Sequence, residues 1–117
     1  LFRSDAQHWI KCGVEFSDGQ LLLSTVLTLD KSDWAVSLAP AMPDGFWLRV
    51  TVEKGVIRVQ YSTDGLRWPL LRLAPFPEAG HYLVGPMCCT PERGGLEVVF
   101  SQFSLGPARQ KELHDLS

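Results

Sequence analysis

Aromatic, charged and amide side chains recur on one side of several alternating segments, and together they could contact a ligand. The first such segment presents Trp9, Lys11 and Glu15 opposite its apolar residues. An indole ring can stack on the apolar face of a sugar, while charged and amide groups hydrogen-bond its hydroxyls. We therefore predict that a carbohydrate or related polar small ligand binds to Trp9, Lys11, Glu15, Trp34, Arg49 and Gln60.

Two structural explanations compete with this ligand site. Tryptophan is enriched in strands, where a loop can cover its ring, so Trp9, Trp34 and Trp47 could be packing residues. Opposite charges on neighbouring strands, such as those of Lys11 and Glu15, could also form ion pairs on a solvated face. Trp68, which precedes Pro69, is predicted to be a packing residue of the core or a loop.

The sequence lacks the patterns of common hydrolytic sites. Retaining glycosidases need two carboxylates about 5 Å apart, and no run of the form Glu-x-Asp-x-x-Glu is present. His8, His81 and His114 are isolated from one another, and the nucleophile motif Gly-x-Ser-x-Gly is absent. The chain is therefore predicted to be a binding protein and not an enzyme.

The cysteines and aspartates do not predict a metal or another cofactor. Cys12, Cys88 and Cys89 lack the Cys-x-x-Cys spacing of zinc sites. Several aspartates fall in turns, but none belongs to the spaced series that binds calcium. An odd number of cysteines suggests free thiols in a reducing compartment. With no asparagine available for glycosylation, we predict a cytoplasmic protein.

Composition and charge exclude two further classes of partner. The formal net charge of −2 and scattered basic residues argue against nucleic acid, which requires a basic patch. No apolar run approaches the roughly 20 residues that cross a bilayer, and the first residues do not resemble a signal peptide. A chain of 117 residues is the size of one domain.

Hydrophobic residues alternate with a period of two nearly throughout, which predicts an all-β antiparallel sandwich. Asp18-Gly19 and Lys54-Gly55 are the clearest hairpin turns. We assign residues 1–106 to the sandwich and 107–117 to a tail that is either disordered or a short helix. Strands are predicted at 9–16, 21–29, 33–37, 46–53, 56–62, 67–73, 81–89 and 96–105.

Several phrases, in order along nearly the whole chain, resemble the DUF1349 family. They are WIKCGVEFSDG at 9–19, LSTV at 23–26, SDW at 32–34, WLRV at 47–50, VQYSTDG at 59–65, VGPMC at 84–88 and FSQFSLGP at 100–107. The resemblance implies a concanavalin A-like jelly roll of the lectin and glucanase superfamily. It also implies N-terminal strands that are missing here because they would precede Leu1.

The resemblance implies two alternative functions. In the first, a concave sheet face binds carbohydrate, as in sugar-binding relatives of the superfamily. In the second, the chain is a protein-interaction or regulatory protein of carbohydrate metabolism, because one branch of the family is described as regulating enolase. An open strand edge would also allow a homodimer by strand exchange.

Overall fold

A computed structural model describes residues 1–109, 112 and 114–117 of the chain. The regular structure of these residues consists of β-strands arranged in two antiparallel sheets, which confirms the predicted all-β fold. The strands are β1 (Phe2–Arg3), β2 (His8–Ser17), β3 (Gln20–Leu29), β4 (Lys31–Leu38), β5 (Trp47–Glu53), β6 (Val56–Ser62), β7 (Leu70–Pro75) and β8 (Leu83–Val84).

The first sheet has five strands in the order β4-β3-β2-β1-β8. A tight turn joins β2 to β3, and its two residues, Asp18 and Gly19, have φ angles of 52° and 74°. Positive φ at both central residues matches a type I′ turn, whose twist suits an antiparallel hairpin. The Asp-Gly turn predicted from the sequence is therefore confirmed.

The second sheet has three strands in the order β5-β6-β7. Lys54 and Gly55 join β5 to β6 with φ angles of 50° and 75°, which confirms the second predicted turn. The pairing of β6 with β7 shifts register between Val59 and Gln60. This irregularity lies where the segment before β7 turns back along β6.

The two sheets pack against each other through one apolar cluster. Ile10 and Leu27, which are paired across β2 and β3, contribute from the first sheet. Ile57 and Val59 of β6 contribute from the second, together with Ala74 and Phe76. Because all these side chains are buried, the faces that carry them face each other, and the alternate residues of each strand point outward.

An aromatic group closes one end of this core. The Phe2 ring lies 5.5 Å from the Phe76 ring and 4.9 Å from the Tyr82 ring, measured between centroids. Phe2 belongs to β1 of the first sheet, whereas Phe76 follows β7 of the second. The rings therefore join the short strand β1 to the end of the other sheet.

The other end of the core face is open. Val14 and Phe16 follow Ile10 at even spacing on β2, so they lie on the face that carries the core. Phe16 is nevertheless 71% exposed, and its strand partner Leu21 is also exposed. The three-stranded sheet thus covers only part of the larger sheet.

Two predicted strands are wrong in extent or absent. Of 81–89, only Leu83–Val84 is strand, and 96–105 forms no strand. Leu96, Val98 and Phe100 alternate as expected, yet all three are exposed. Alternation creates an apolar face, but a strand also needs a neighbour for its backbone hydrogen bonds. Among the described residues this segment pairs with no strand, although Gln102 accepts the indole N–H of Trp47 on β5.

Smaller differences concern the ends of several strands. The third predicted strand, at 33–37, corresponds to β4, which is longer and extends from Lys31 to Leu38. The predicted strand at 67–73 begins only at Leu70, so Trp68 precedes it. The predicted tail falls partly on residues 110, 111 and 113, which lie outside the described residues.

Candidate functional site

The structure separates the six residues predicted to bind one ligand into two groups. Trp9, Lys11 and Glu15 alternate with the core residue Ile10 and lie on the outer face of the first sheet, as does Trp34. Arg49 and Gln60 are paired on the outer face of the second sheet. Since the core lies between the sheets, the two groups are on opposite sides of the molecule.

On the first sheet, the outer face is most apolar at the edge strand β4. Trp34, Val36 and Leu38 alternate along β4 and are 64%, 47% and 70% exposed. We call these three residues the edge patch. Trp34 donates its indole N–H to Ser24 Oγ at 3.1 Å, so the ring has a defined anchor on β3.

The edge patch lies beside an open row of backbone groups. Among the strands of the described residues, β4 is the last in its sheet and pairs only with β3, over eight residues from Lys31 to Leu38. An edge strand can accept a further strand, and alternate side chains then determine which segment fits. This strand thus offers both main-chain hydrogen-bonding groups and exposed apolar side chains.

On the second sheet, Arg49 and Gln60 surround Trp68. The Arg49 guanidinium lies 3.7 Å from the Trp68 ring centroid, an arrangement favourable for a cation–π contact. Buried Gln60 donates its side-chain amide to the Trp68 carbonyl at 2.8 Å. These contacts fix Trp68 on the outer face, and Gln60 is already engaged in holding it.

Trp68 was not among the predicted binding residues. It follows the turn at Asp64, whose carboxylate accepts the amide N–H groups of Leu66 and Arg67 at 2.8 and 2.9 Å. These hydrogen bonds lower the pKa of Asp64. The STDG turn signal and the proline after Trp68 indicate a chain reversal that returns Trp68 to Gln60.

The last residues of the chain contact this second group. Trp68 donates its backbone N–H to the Leu116 carbonyl at 2.7 Å. Arg49 donates from Nη1 to the main-chain oxygen of Ser117 at 3.1 Å. The pKa of Arg49 is lowered mainly by partial burial and to a smaller extent by the positive charge of Arg109. The tail therefore contacts both Arg49 and Trp68.

A charged cluster lies where β1, β2 and β3 end near one another. His8 Nδ1 is 2.8 Å from Asp5 Oδ2, and His8 Nε2 is 3.7 Å from Asp30 Oδ2. This arrangement raises the pKa of His8, mainly because the His8 ring N–H donates a hydrogen bond to the Asp5 carboxylate. The same hydrogen bond is the main cause that lowers the pKa of Asp5.

The described residues offer little support for a metal site or for a reactive thiol at Cys12. They contain no group of three or more His, Cys, Asp or Glu side chains that could hold a metal ion. Burial raises the pKa of the Cys12 thiol, so this cysteine is a poor nucleophile at neutral pH. No helix formed by the described residues is long and apolar enough to span a bilayer.

Comparison with known proteins gives two close relatives, both from Saccharomyces cerevisiae. The curated relative "Regulation of enolase protein 1" is 59% identical over all 117 residues of this chain, which spans 59% of that protein's length. A crystal structure described as a functionally unknown protein is 60% identical, with a TM-score of 0.75. The match covers 79% of this chain and 50% of the crystallised one.

A family profile described as "Protein of unknown function (DUF1349)" matches residues 1–108. The match includes both sheets and the edge patch, and it agrees with the resemblance seen in the sequence. The chain therefore belongs to the DUF1349 family.

Proposed function

We propose that this chain is a non-catalytic protein-interaction module of a cytoplasmic regulatory protein, and that enolase is its partner. The observation that carries the proposal is the edge strand β4, with its open backbone and the exposed edge patch. The name of the 59% identical relative, which refers to regulation of enolase, supports the choice of partner.

The physical argument begins with the cost of exposing the edge patch to water. Burying an exposed apolar side chain gains roughly 25 cal/mol per Å² of apolar surface removed from water. A partner strand at β4 would gain main-chain hydrogen bonds as well, because no strand in the described part of the chain pairs with its outer edge. Trp34 would be the central anchor, since tryptophan is enriched among residues that dominate binding energy.

Carbohydrate binding is less well supported by the same surfaces. A sugar site needs aromatic and polar groups in one compact groove, whereas the six predicted residues lie on opposite outer faces. Gln60 and Arg49 also already hydrogen-bond to protein atoms. The concanavalin A-like jelly roll remains a proposal, which the two antiparallel sheets support in its coarser form.

The test measures binding of the 117-residue chain to purified enolase by surface plasmon resonance, together with enolase turnover. Trp34→Ser is expected to weaken binding by about 30-fold or more, the loss typical of a central anchor residue. Leu66→Ser is the matched control, because Leu66 is 77% exposed but lies between β6 and β7 of the other sheet.

Two results would contradict the proposal. If enolase fails to bind the wild-type chain, enolase is not its partner. If Trp34→Ser and wild type bind enolase with equal affinity, the edge patch is not the binding surface. Circular dichroism of each variant confirms that the sheets are intact. Sedimentation velocity of the chain alone separates enolase binding from the alternative occupant of this edge, a second copy joined by strand exchange.

A further inference from the structure

The outer face of the first sheet is organised in rows, because paired residues of β2, β3 and β4 lie side by side across the strands. Three successive rows are Lys11–Val26–Trp34, Gly13–Ser24–Val36 and Glu15–Leu22–Leu38. We call these residues the outer-face grid. Each row begins at β2 and ends in one residue of the edge patch, so the charged residues lie on β2 and the exposed apolar residues on β4.

Two opposite charges lie at equal spacing on either side of Gly13 on β2. Lys11 precedes Gly13 by two residues and Glu15 follows it by two, so both side chains lie on the outer face. Their Cα atoms are roughly 13 Å apart along the strand, and strand side chains stand nearly perpendicular to the sheet. Among the described residues neither side chain forms a salt bridge. The outer-face grid therefore carries one unpaired cation and one unpaired anion.

The rest of the outer-face grid can be covered at little polar cost. Leu22 and Val26 are half-buried, and the edge patch beside them is exposed. At the centre, Gly13 has no side chain, and the buried Ser24 hydroxyl already accepts the indole N–H of Trp34. Covering this surface therefore removes apolar area from water, which is favourable, without leaving the Ser24 hydroxyl unpaired.

The pattern of the outer-face grid is complementary to itself about its middle row. A two-fold axis along that row, in the plane between two facing sheets, reverses the strand direction of the second copy and exchanges the two flanking rows. Lys11 then faces Glu15 of the second copy, and Glu15 faces the Lys11 of that copy. Trp34 faces Leu38 of the second copy in the same way, and Val36 faces its own equivalent. A two-fold axis parallel to the strands would instead set both charges against the apolar edge patch, where they would lose water without gaining a partner.

We propose that the outer-face grid is an interface for a second copy of this chain, which packs face to face in a two-fold symmetric dimer. Such an interface uses the same surface on both copies, and packed sheets are usually about 10 Å apart with strands about 30° from parallel. Contact over three strands is small, so the dimer is expected to be weak and dependent on concentration. No strand is exchanged, and the backbone edge of β4 stays unpaired.

The inference does not depend on enolase, but it has a consequence for any partner of the edge patch. The dimer covers Trp34 and its neighbours, so a partner at this patch and a second copy exclude each other. Self-association would then decrease as the partner binds, and dilution of the chain would favour the partner.

The experiment is sedimentation equilibrium of the 117-residue chain over a wide range of concentrations at low salt. Lys11→Glu places two carboxylates opposite each other at both ends of the interface, and Glu15→Lys places two ammonium groups there. Each single variant should raise the dimer dissociation constant by about 10-fold or more, because like charges across an interface oppose association. The double variant Lys11→Glu/Glu15→Lys restores both pairs, so its dissociation constant should lie within about 3-fold of the wild-type value.

An equimolar mixture of the two single variants gives the sharpest result. One variant has two carboxylates on its outer face and the other has two ammonium groups, so the mixture should associate more tightly than either variant alone. Lys54→Glu is the matched control, because Lys54 is 81% exposed and lies in the turn between β5 and β6 of the other sheet. This control should leave the dissociation constant unchanged, and circular dichroism confirms that each variant is folded.

Three results would each overturn the proposal. The first is a wild-type chain that stays monomeric at every concentration. The second is a dimer that neither single charge reversal weakens, which would indicate strand exchange at the β4 edge instead. The third is a mixture of the single variants that associates no better than its components, because the two charges would then not face each other across the interface.

Discussion

The guanidinium of Arg72 on β7 lies 3.0 Å from the carboxylate of Asp33 on β4, and this ion pair connects the two sheets. A second contact, from Arg72 Nη1 to the other carboxylate oxygen at 3.3 Å, makes the pair bidentate. Arg72 Nη1 also donates to Thr25 Oγ1 on β3 at 3.3 Å. The edge strand is therefore tied to the second sheet through its inward side chains, while its outward side chains stay exposed.

The first prediction concerns this ion pair. In a double-mutant cycle of Arg72→Met and Asp33→Asn, we expect a coupling free energy of about 0.5–1 kcal/mol, because Asp33 is largely exposed and solvent screens the attraction. Urea unfolding of the four proteins measures the coupling. It should decrease in 1 M salt, and strictly additive single effects would contradict a direct interaction.

The second prediction concerns the aromatic end of the core. Phe76 is buried and its ring packs against Phe2, so Phe76→Ala should lower the free energy of unfolding by about 3–5 kcal/mol through lost burial and a cavity. Leu73→Ala, at an exposed position on β7, should cost less than about 1 kcal/mol. Similar losses in the two variants would contradict the assignment of Phe76 to the core.

The third prediction concerns pH. The His8 pKa is raised above its usual 6.5, chiefly by the Asp5 hydrogen bond, so protonated His8 stabilises the folded state. That contribution is fully present below pH 6.5 and is lost as the pH rises through the raised pKa. The difference in melting temperature between wild type and His8→Gln should therefore be largest near pH 6 and shrink at higher pH.

A proton NMR titration provides an independent check of the same pair. The pKa of the His8 ring should lie above its ordinary value of 6.5, and Asp5→Asn should shift the titration midpoint downward. Asp5 has the opposite dependence, because its lowered pKa gives stability that is lost as the pH falls through that pKa. A wild-type His8 midpoint at or below 6.5 would contradict the geometry.

The fourth prediction concerns self-association at the open edge. Val36→Lys places a charge in the middle of the edge patch, and lysine on an edge strand opposes pairing with another chain. We expect less concentration-dependent association than in wild type, with an unchanged melting temperature, because Val36 points outward. Sedimentation velocity measures the association. Val56→Lys, an exposed position on the other sheet, should leave any association unaltered.

Much of the fold could be predicted because period-two alternation and turn chemistry are local properties. Asp18-Gly19 and Lys54-Gly55 specify their hairpins through φ angles that few other residue pairs adopt. The segment around Val98 shows the limit of this reasoning. It alternates as a strand does, yet strand formation depends on a neighbour elsewhere in the fold, which local pattern does not encode.

The candidate site was harder to predict than the strands for a related reason. Alternation places Lys11 and Arg49 on outward faces, but it does not show whether the two residues lie on the outer face of the same sheet. That depends on which strands form each sheet, and the strands carrying these two residues belong to different sheets. The contact of Trp68 with Leu116 could not be predicted either, because the two residues are far apart in the sequence.

The pairing of β1 with β8 has a kinetic consequence. Phe2 pairs with Val84, whereas the β2-β3-β4 and β5-β6-β7 meanders are each built from neighbours in sequence. The chain between Phe2 and Val84 must close into a long loop before β1 and β8 can form stabilising contacts, and this closure costs conformational entropy. The pairing of β1 with β8 is therefore expected to form late in folding. Substitutions at Phe2 should therefore accelerate unfolding and leave the refolding rate nearly unchanged, whereas substitutions in the hairpins that assemble first should slow refolding. Stopped-flow measurements in urea would show whether the molecule folds as two meanders that dock before the short strand β1 pairs with β8.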